Sequence, residues 1–368
     1  MHVVEREERF FLAALARCPG LGARRLATLL ALADAKALWH MDPAELAMRA
    51  SIPSSVCAAL ASLRREAPDL PERIACASGA CGAELLVMED SDYPLILKEI
   101  FDPPMVLYVR GTLERAARRV AVVGARRCSP YGTSLAREFG EKLAAAGLTV
   151  VSGGARGIDT AAHRGALRAP KGKTIAVLGC GIDVAYPSEN RRLFDAIAER
   201  GAVISEYAPG TQPLPVFFPA RNRIISGLSS GTLVVEAARR SGSLITAELA
   251  LSEGRDVYAV PGSVLSPTSE GCHALIAQGA KLTARPGDIL EDFGLGTKAP
   301  RGARKSLSSE ERKIYQVLSF DHPLTMDEIL MSLPDGEIAN LAFLLLQMEL
   351  KGLVIENEWH AYRRAERE

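Results

Sequence analysis

From about residue 85 onward, short β-branched and aliphatic runs alternate with stretches whose apolar positions follow the helical period, the pattern of parallel βαβ units. Strands are expected at residues 85–88, 106–110, 120–124, 149–152, 174–178, 202–205, 232–236 and 256–260. Helices are expected between them at 131–146, 158–168, 191–200 and 243–253. The runs VAVVG (120–124) and TIAVLG (174–179) are apolar almost throughout, as suits strands covered on both faces. The pattern predicts an α/β fold with a doubly wound, mainly parallel sheet.

The flanking segments follow other patterns. Residues 1–65 alternate short amphipathic stretches with turn signals, and Pro19-Gly20-Leu21-Gly22 lies between two of them as in a helix-hairpin-helix. There, glycines let backbone N–H groups approach a phosphate. A second hairpin at Ser51-Ile52-Pro53 is degenerate, so a helix pair packed on the core is the plainer reading. Residues 294–306 (GLGTKAPRGARKS) combine glycine, proline and cations with few apolar groups and read as a linker. Beyond them, helices at 309–319, 326–331 and 336–351 precede Leu353-Val354-Ile355, a turn, and a strand at 359–363, the order of a winged helix. The last helix carries Glu337 and Glu349 with only Lys351 as a cation, too little charge for duplex DNA. Its apolar positions Ile338, Leu341, 343–346 and Met348 call for burial or a protein contact. The expected organisation is a helical SAM or helix-hairpin-helix-like domain (1–80), a Rossmann-like domain (81–293), the linker, and a winged-helix-like domain (307–368).

Composition narrows the class. With 48% hydrophobic and 24% charged residues, the chain belongs with soluble globular proteins. No apolar run approaches the roughly 20 residues of a membrane span, and the start MHVVEREERF is charged, so a cytoplasmic protein is expected. Seven cysteines, at 18, 57, 76, 81, 128, 180 and 272, form no CxxC pair, which supports neither a disulfide framework nor a zinc site. They read as small buried hydrophobes. Lys and Arg balance Asp and Glu at 44 each, but residues 118–292 hold 21 cations against 16 anions. Both flanking segments are net acidic, so a polyanion should bind in the middle.

In a doubly wound sheet, ligands bind outside the carboxyl ends of the strands, where helix N-termini favour anions. Gly124-Ala125-Arg126-Arg127 follows one such strand but lacks G-x-G-x-x-G, which argues against a dinucleotide cofactor. Residues 152–159 (SGGARGID) follow the next, and Gly153, Gly154, Gly157 and Arg156 make a phosphate cradle of N–H donors and a guanidinium. Residues 179–183 (GCGID) and 186–192 (YPSENRR) extend the same glycine-rich, basic edge. Residues 217–223 (FFPARNR) set aromatics beside Arg221, Asn222 and Arg223, and 241–246 (SGSLIT) adds hydroxyls at a helix start. Cations for phosphates beside rings for stacking suit single-stranded nucleic acid. The structural alternatives are that Phe217 and Phe218 pack in the core, as aromatics that anchor a loop before a proline do, and that Arg221 and Arg223 pair with Glu206 or Glu236.

Residues 93–285 resemble the DNA-processing protein A (DprA/Smf) family. The likeness rests on YPLILKEIFDPPMVLYVRG (93–111), VAVVGARRCSPYG (120–132), VVSGGARGIDTAAHRGAL (150–167), GKTIAVLGCGIDVAYPSEN (172–190), ISEYAPG (204–210), FPARNRIISGL (218–228), SGSLITAELA (241–250), GRDVYAVPGS (254–263) and GCHALIAQGA (271–280). The resemblance implies a protein of natural transformation that binds incoming single-stranded DNA, shields it from nucleases and helps load the RecA recombinase. It maps phosphate contacts to Gly124 and Arg126, to Ser152, Gly153, Gly154, Gly157 and Ile158, and to Arg221, Asn222 and Arg223. It also implies a homodimer joined through the segment with His273 and Leu282, while the expectation of no cofactor, metal or catalysis rests on the missing G-x-G-x-x-G, the cysteine spacing and a missing hydrolase loop.

The rival class is a nucleotide-cleaving, phosphoribohydrolase-like enzyme on a related fold, with Asp159, His163, Glu206 and Glu236 as candidate groups. Such enzymes feed a P-G-G-x-G-T run into a catalytic Glu, whereas Ser229-Ser230-Gly231-Thr232 stands before Glu236. Asp159 is better placed to cap a helix, and His163, at i+4 from it, to make a contact on the helix surface.

Overall fold

The apolar runs assemble into one nine-stranded sheet: β1 (Glu84–Val87), β2 (Val106–Gly111), β3 (Arg119–Val123), β4 (Thr149–Ser152), β5 (Lys173–Leu178), β6 (Ala202–Ser205), β7 (Gly231–Val234), β8 (Asp256–Ala259) and β9 (Lys281–Leu282). The computed structural model of the chain describes residues 6–295, 307–320, 322–333, 340–351, 353–357 and 360–365. Strand order is β1-β2-β6-β5-β4-β3-β7-β8-β9. From β6 to β9 every pairing is parallel, while β2 pairs antiparallel with both β1 and β6. The chain builds outward from β3 to β6, then returns to the other side of β3 as β7. This reversal opens a crevice at the strands' carboxyl ends.

Helices cover both faces, which is why β3, β4, β6 and β7 are buried at every position. One core packs under Pro130–Ala145 and Ile158–Arg168. Another packs under Phe217–Gly227, Gly242–Ser252 and Glu270–Ala277. Six helices within residues 6–80 share a third core with β1, β2 and β6. Residues 6–80 therefore belong to the same compact unit as the sheet, Met1–Gly296, and the boundary expected at residue 80 separates helical from sheet-forming sequence. In the Pro19–Gly22 hairpin, Leu21 is buried and Gly20 is at φ +78°, where a Cβ would stand 3.0 Å from Val56 Cγ2.

Phe217 and Phe218 are half-buried, not packed in the core, and residues 217–223, for which no element is expected from the sequence, are the start of the helix Phe217–Gly227. Pro219 stands in its first turn, where its missing N–H has no intrahelical partner to lose. Cys18, Cys57, Cys180 and Cys272 are buried, but Cys76 is exposed, so it is not a packing residue. Among the described residues no helix is long and apolar enough to cross a membrane.

The second unit, Thr297–Glu368, has helices Ser309–Val317, Met326–Ser332 and Leu341–Leu350 and a small sheet of β10 (Leu324–Thr325), β11 (Val354–Glu356) and β12 (Ala361–Arg364) in the order β10-β12-β11. Capping boxes Ser308/Glu311 and Thr325/Glu328 start its first two helices. Leu341, Leu345 and Met348 are buried in its core, whereas Phe343 and Leu346 are exposed. Most of the expected linker, the start of the expected third helix and Trp359 lie outside the described residues.

Candidate nucleic-acid interface

The turns after β3, β4 and β5, with helices Phe217–Gly227 and Gly242–Ser252, enclose a cleft of about 470 Å³ at the carboxyl edge of the sheet. Its backbone frame depends on a close approach. Gly157, at φ +75°, sits where a Cβ would stand 2.3 Å from the Ala125 carbonyl oxygen, so only glycine lets the β4 turn lie against the β3 turn. Ile158 N donates to that same oxygen at 3.2 Å, fastening the two turns together.

Arg126 is exposed at the cleft mouth, its guanidinium carbon 5.2 Å from the Phe218 ring centroid. Phe218 lies 5.4 Å from the Tyr186 ring at 40°, so a cation and two rings form one platform. Among the described residues no carboxylate pairs with Arg126. Tyr186, which the sequence marked only as part of a basic glycine-rich turn, is 42% exposed and supplies the outer ring. The signal available was an aromatic before a proline just past a strand end.

The sequence-nominated residues fall into two sets. Arg126, Arg127 and Arg156 are exposed and Asn222 is half-buried, its amide donating to Gly242 O at 3.3 Å. Arg156 is ion-paired with Glu189. Ser152 is fully buried and donates to Val122 O at 2.6 Å, so its hydroxyl faces the sheet. Gly153, Gly154 and Ile158 are buried, whereas Gly124 and Gly157 are half-buried. Arg223 pairs with Glu206 at 2.6 Å and Asp102 at 3.2 Å and donates to Asp102 O, which makes it the tie of helix Phe217–Gly227 to the loop before β2.

Arg221 forms the cleft floor. It is 4% exposed, donates to Gly153 O at 2.8 Å, and its Nε has no hydrogen-bond partner among the described residues. Asp159 is also buried, and a Cβ on Gly153 would meet Arg221 Nη2 at 2.6 Å and Asp159 Oδ2 at 2.7 Å. The two charges thus face each other across Gly153. Burial lowers the Arg221 pKa to about 10 while Asp159 opposes the shift, so the guanidinium stays charged at neutral pH. Burial raises the Asp159 pKa and Arg221 pulls it back. The Asp159 carboxylate accepts from Ala155 N at 3.3 Å, in the turn before the helix, so it fastens that turn instead of capping the helix Ile158–Arg168 as expected, and the start of that helix carries no side-chain cap.

The expected surface contact between Asp159 and His163 is replaced by a buried one. His163 is fully buried with Nδ1 2.7 Å from Thr174 Oγ1, and the Thr174 hydroxyl donates to Val150 O, so Nδ1–H donates to Thr174. Burial, with Arg221 nearby, lowers the His163 pKa to about 3 and keeps the ring neutral. The unfolded chain takes up a proton below about pH 6.5 that the folded chain refuses, so this contribution to stability is intact above that pH and lost as pH falls toward 3. Denaturant titrations at pH 7 and pH 5 should show about 2 kcal/mol lost through this group, and His163→Asn should flatten that slope. An unchanged slope in the variant would refute the assignment.

Glu236, the remaining acidic candidate, is 3% exposed and accepts from Ser129 N at 2.8 Å and Ser129 Oγ at 2.5 Å. Ser129 in turn caps the helix Pro130–Ala145, so Glu236 anchors a helix start. Glu206 is held by Arg223. At the far edge of the sheet, Leu282 of β9 is 53% exposed, and His273 Nε2 lies 3.1 Å from Gly262 O.

The family of DNA recombination-mediator protein A matches residues 84–294. The DNA processing protein DprA of Streptococcus pneumoniae is 52% identical over 205 residues, covering 55% of this chain and 72% of that protein. The X-ray structure of DNA processing protein A from Streptococcus pneumoniae superposes with a TM-score of 0.67 at 39% identity, covering 79% of this chain and 99% of that one. DNA processing protein A from Helicobacter pylori, described as having a unique single-stranded DNA binding mode, superposes with a TM-score of 0.52 at 29% identity, covering 57% of this chain and 95% of that one.

Proposed function

The chain belongs to the DNA recombination-mediator protein A family, and from that premise we propose that it is a DNA-processing protein of transformation that binds single-stranded DNA in the cleft beside β3, β4 and β5. The observation that carries this reading is the Arg126–Phe218–Tyr186 platform, a guanidinium without a carboxylate partner among the described residues beside an exposed ring, above the buried charge of Arg221. A phosphate meets Arg126, Arg127 or Asn222, and a base stacks on the rings. Gly124, Gly153, Gly154, Arg156, Gly157 and Ile158 set the backbone and field around it, and Ser152, Arg221 and Arg223 hold the walls in place. Sequence preference is slight, since these groups read phosphates and ring faces rather than base edges.

The protein acts without catalysis in the cytoplasm, shields the strand from nucleases and helps pass it to RecA. In support of a binding role, the carboxylates an N-glycosidic mechanism would need, Glu206 and Glu236, are engaged by Arg223 and Ser129. The deciding experiment compares single and double strands in gel shifts at two salt concentrations, with nucleoside monophosphates incubated in parallel. Preference for single strands, stronger at low salt, is the expected result. Released base that disappears in Glu236→Gln would overturn it.

The exposed edge of β9 presents Leu282 for self-association. Leu282→Lys should shift the mass measured by light scattering from dimer to monomer without changing the melting temperature. A parent protein that is monomeric at micromolar concentration would refute the homodimer.

A further inference from the structure

In the unit 6–295, two exposed arginines lie over aromatic rings with no carboxylate partner among the described residues: Arg126 over Phe218, and Arg24, whose guanidinium carbon is 4.2 Å from the Phe101 centroid. The unit's other cation–ring contacts are structural. Arg64 beside Trp39 donates to Leu38 O and Met41 O, Lys36 near Phe11 is paired with Glu7, and the ring near Lys98 belongs to fully buried Tyr93. Phe101 differs from all of these, since 76% of it faces water. The carboxylates on either side of it are already neutralised, Asp102 by Arg223 and Glu99 by Arg255. What Phe101 and Arg24 present to solvent is therefore an open ring and a free positive charge.

Position links this pair to the cleft. Arg223 binds both the carboxylate and the carbonyl of Asp102, the residue after Phe101, and it follows Asn222, which lines the cleft. Helix Phe217–Gly227 thus joins the cleft to the Phe101 loop. Arg24 lies in the first turn of the helix Ala23–Leu30, just past the Pro19–Gly22 hairpin, whose Leu21 is buried in the core.

We propose that single-stranded DNA leaving the cleft crosses helix Phe217–Gly227 to a second station, where a base stacks on Phe101 and the adjoining phosphate meets Arg24. This rests on the reading of the cleft as the first station. It gives the amino-terminal helices a part in holding the strand, and it makes affinity grow with strand length.

The test uses the full chain and oligothymidylates of about 6 and about 25 nucleotides, a span that separates one station from two. Binding is followed by fluorescence anisotropy. Phe101→Ala and Arg24→Gln should weaken the long strand about fivefold to a hundredfold, the fold-change of one lost stacking contact, and leave the short strand at parental affinity. Phe101→Trp should keep parental affinity, with its emission quenched by the long strand and not by the short one. Long-strand affinity unchanged in both loss variants overturns the second station, as does equal loss on both lengths. If Arg126→Ala leaves both lengths unchanged, the cleft reading fails instead, a different outcome on the same assay.

Discussion

Asp159→Asn is expected to lower the stability of the sheet-bearing unit by about 3 kcal/mol, although the substitution alters no exposed atom. The reason is electrostatic. Asp159 and Arg221 are both buried and face each other across Gly153, so neutralising the carboxylate leaves a buried guanidinium that donates to Gly153 O and whose Nε has no hydrogen-bond partner among the described residues. Removing one member of such a pair costs more than the pair contributes, because the survivor's desolvation is no longer offset. Denaturant unfolding should show a lower midpoint at an unchanged slope, and the melting temperature should fall by about 6–10 °C. Replacing both charges, Asp159→Asn with Arg221→Met, should recover part of the loss. A single variant as stable as the parent would show that the two charges are not coupled.

Arg126→Ala should weaken binding of single strands of any sequence about tenfold to a hundredfold, since it removes a phosphate contact and the cation of the Phe218 platform together. The change should be legible in salt as well as in affinity. Each lost phosphate contact lowers the slope of log affinity against log salt by about 0.7 for single strands. Arg126 is exposed and makes no ion pair among the described residues, so stability should not change and the loss is assignable to binding. Arg223→Ala makes the useful contrast: its guanidinium is occupied by Glu206 and Asp102, so its removal should destabilise the fold with the salt slope unchanged. A parental slope in Arg126→Ala would mean that the strand lies elsewhere.

Much of the architecture could be read before any coordinates, and the reason is periodicity. Strands β4 and β6 have the expected ends, and β3, β5, β7 and β8 differ from expectation by one or two residues, because four to six consecutive apolar positions have few alternatives inside a covered sheet. β9, only two residues long, carries no period, and its pairing with β8 is decided by the strand already in place. The helix at Phe217–Gly227 was hidden by Pro219, which reads as a breaker unless its place in the first turn is known. β1 and β2 were recognisable as strands, but that both pairings of β2 run antiparallel depends on neighbours distant in sequence.

The site divides in the same way. By itself the sequence determined the residue types, three glycine-rich turns at strand ends with arginines among them, and the surplus of cations that points to a polyanion. Only the tertiary structure decided which of those side chains turn outward. Arg126 and Arg221 are the same chemical group, yet one lies on a ring in water and the other lies under Gly153 opposite Asp159, because burial and partners are fixed by segments tens of residues away. Residue type is local, whereas exposure and pairing are properties of the packed chain.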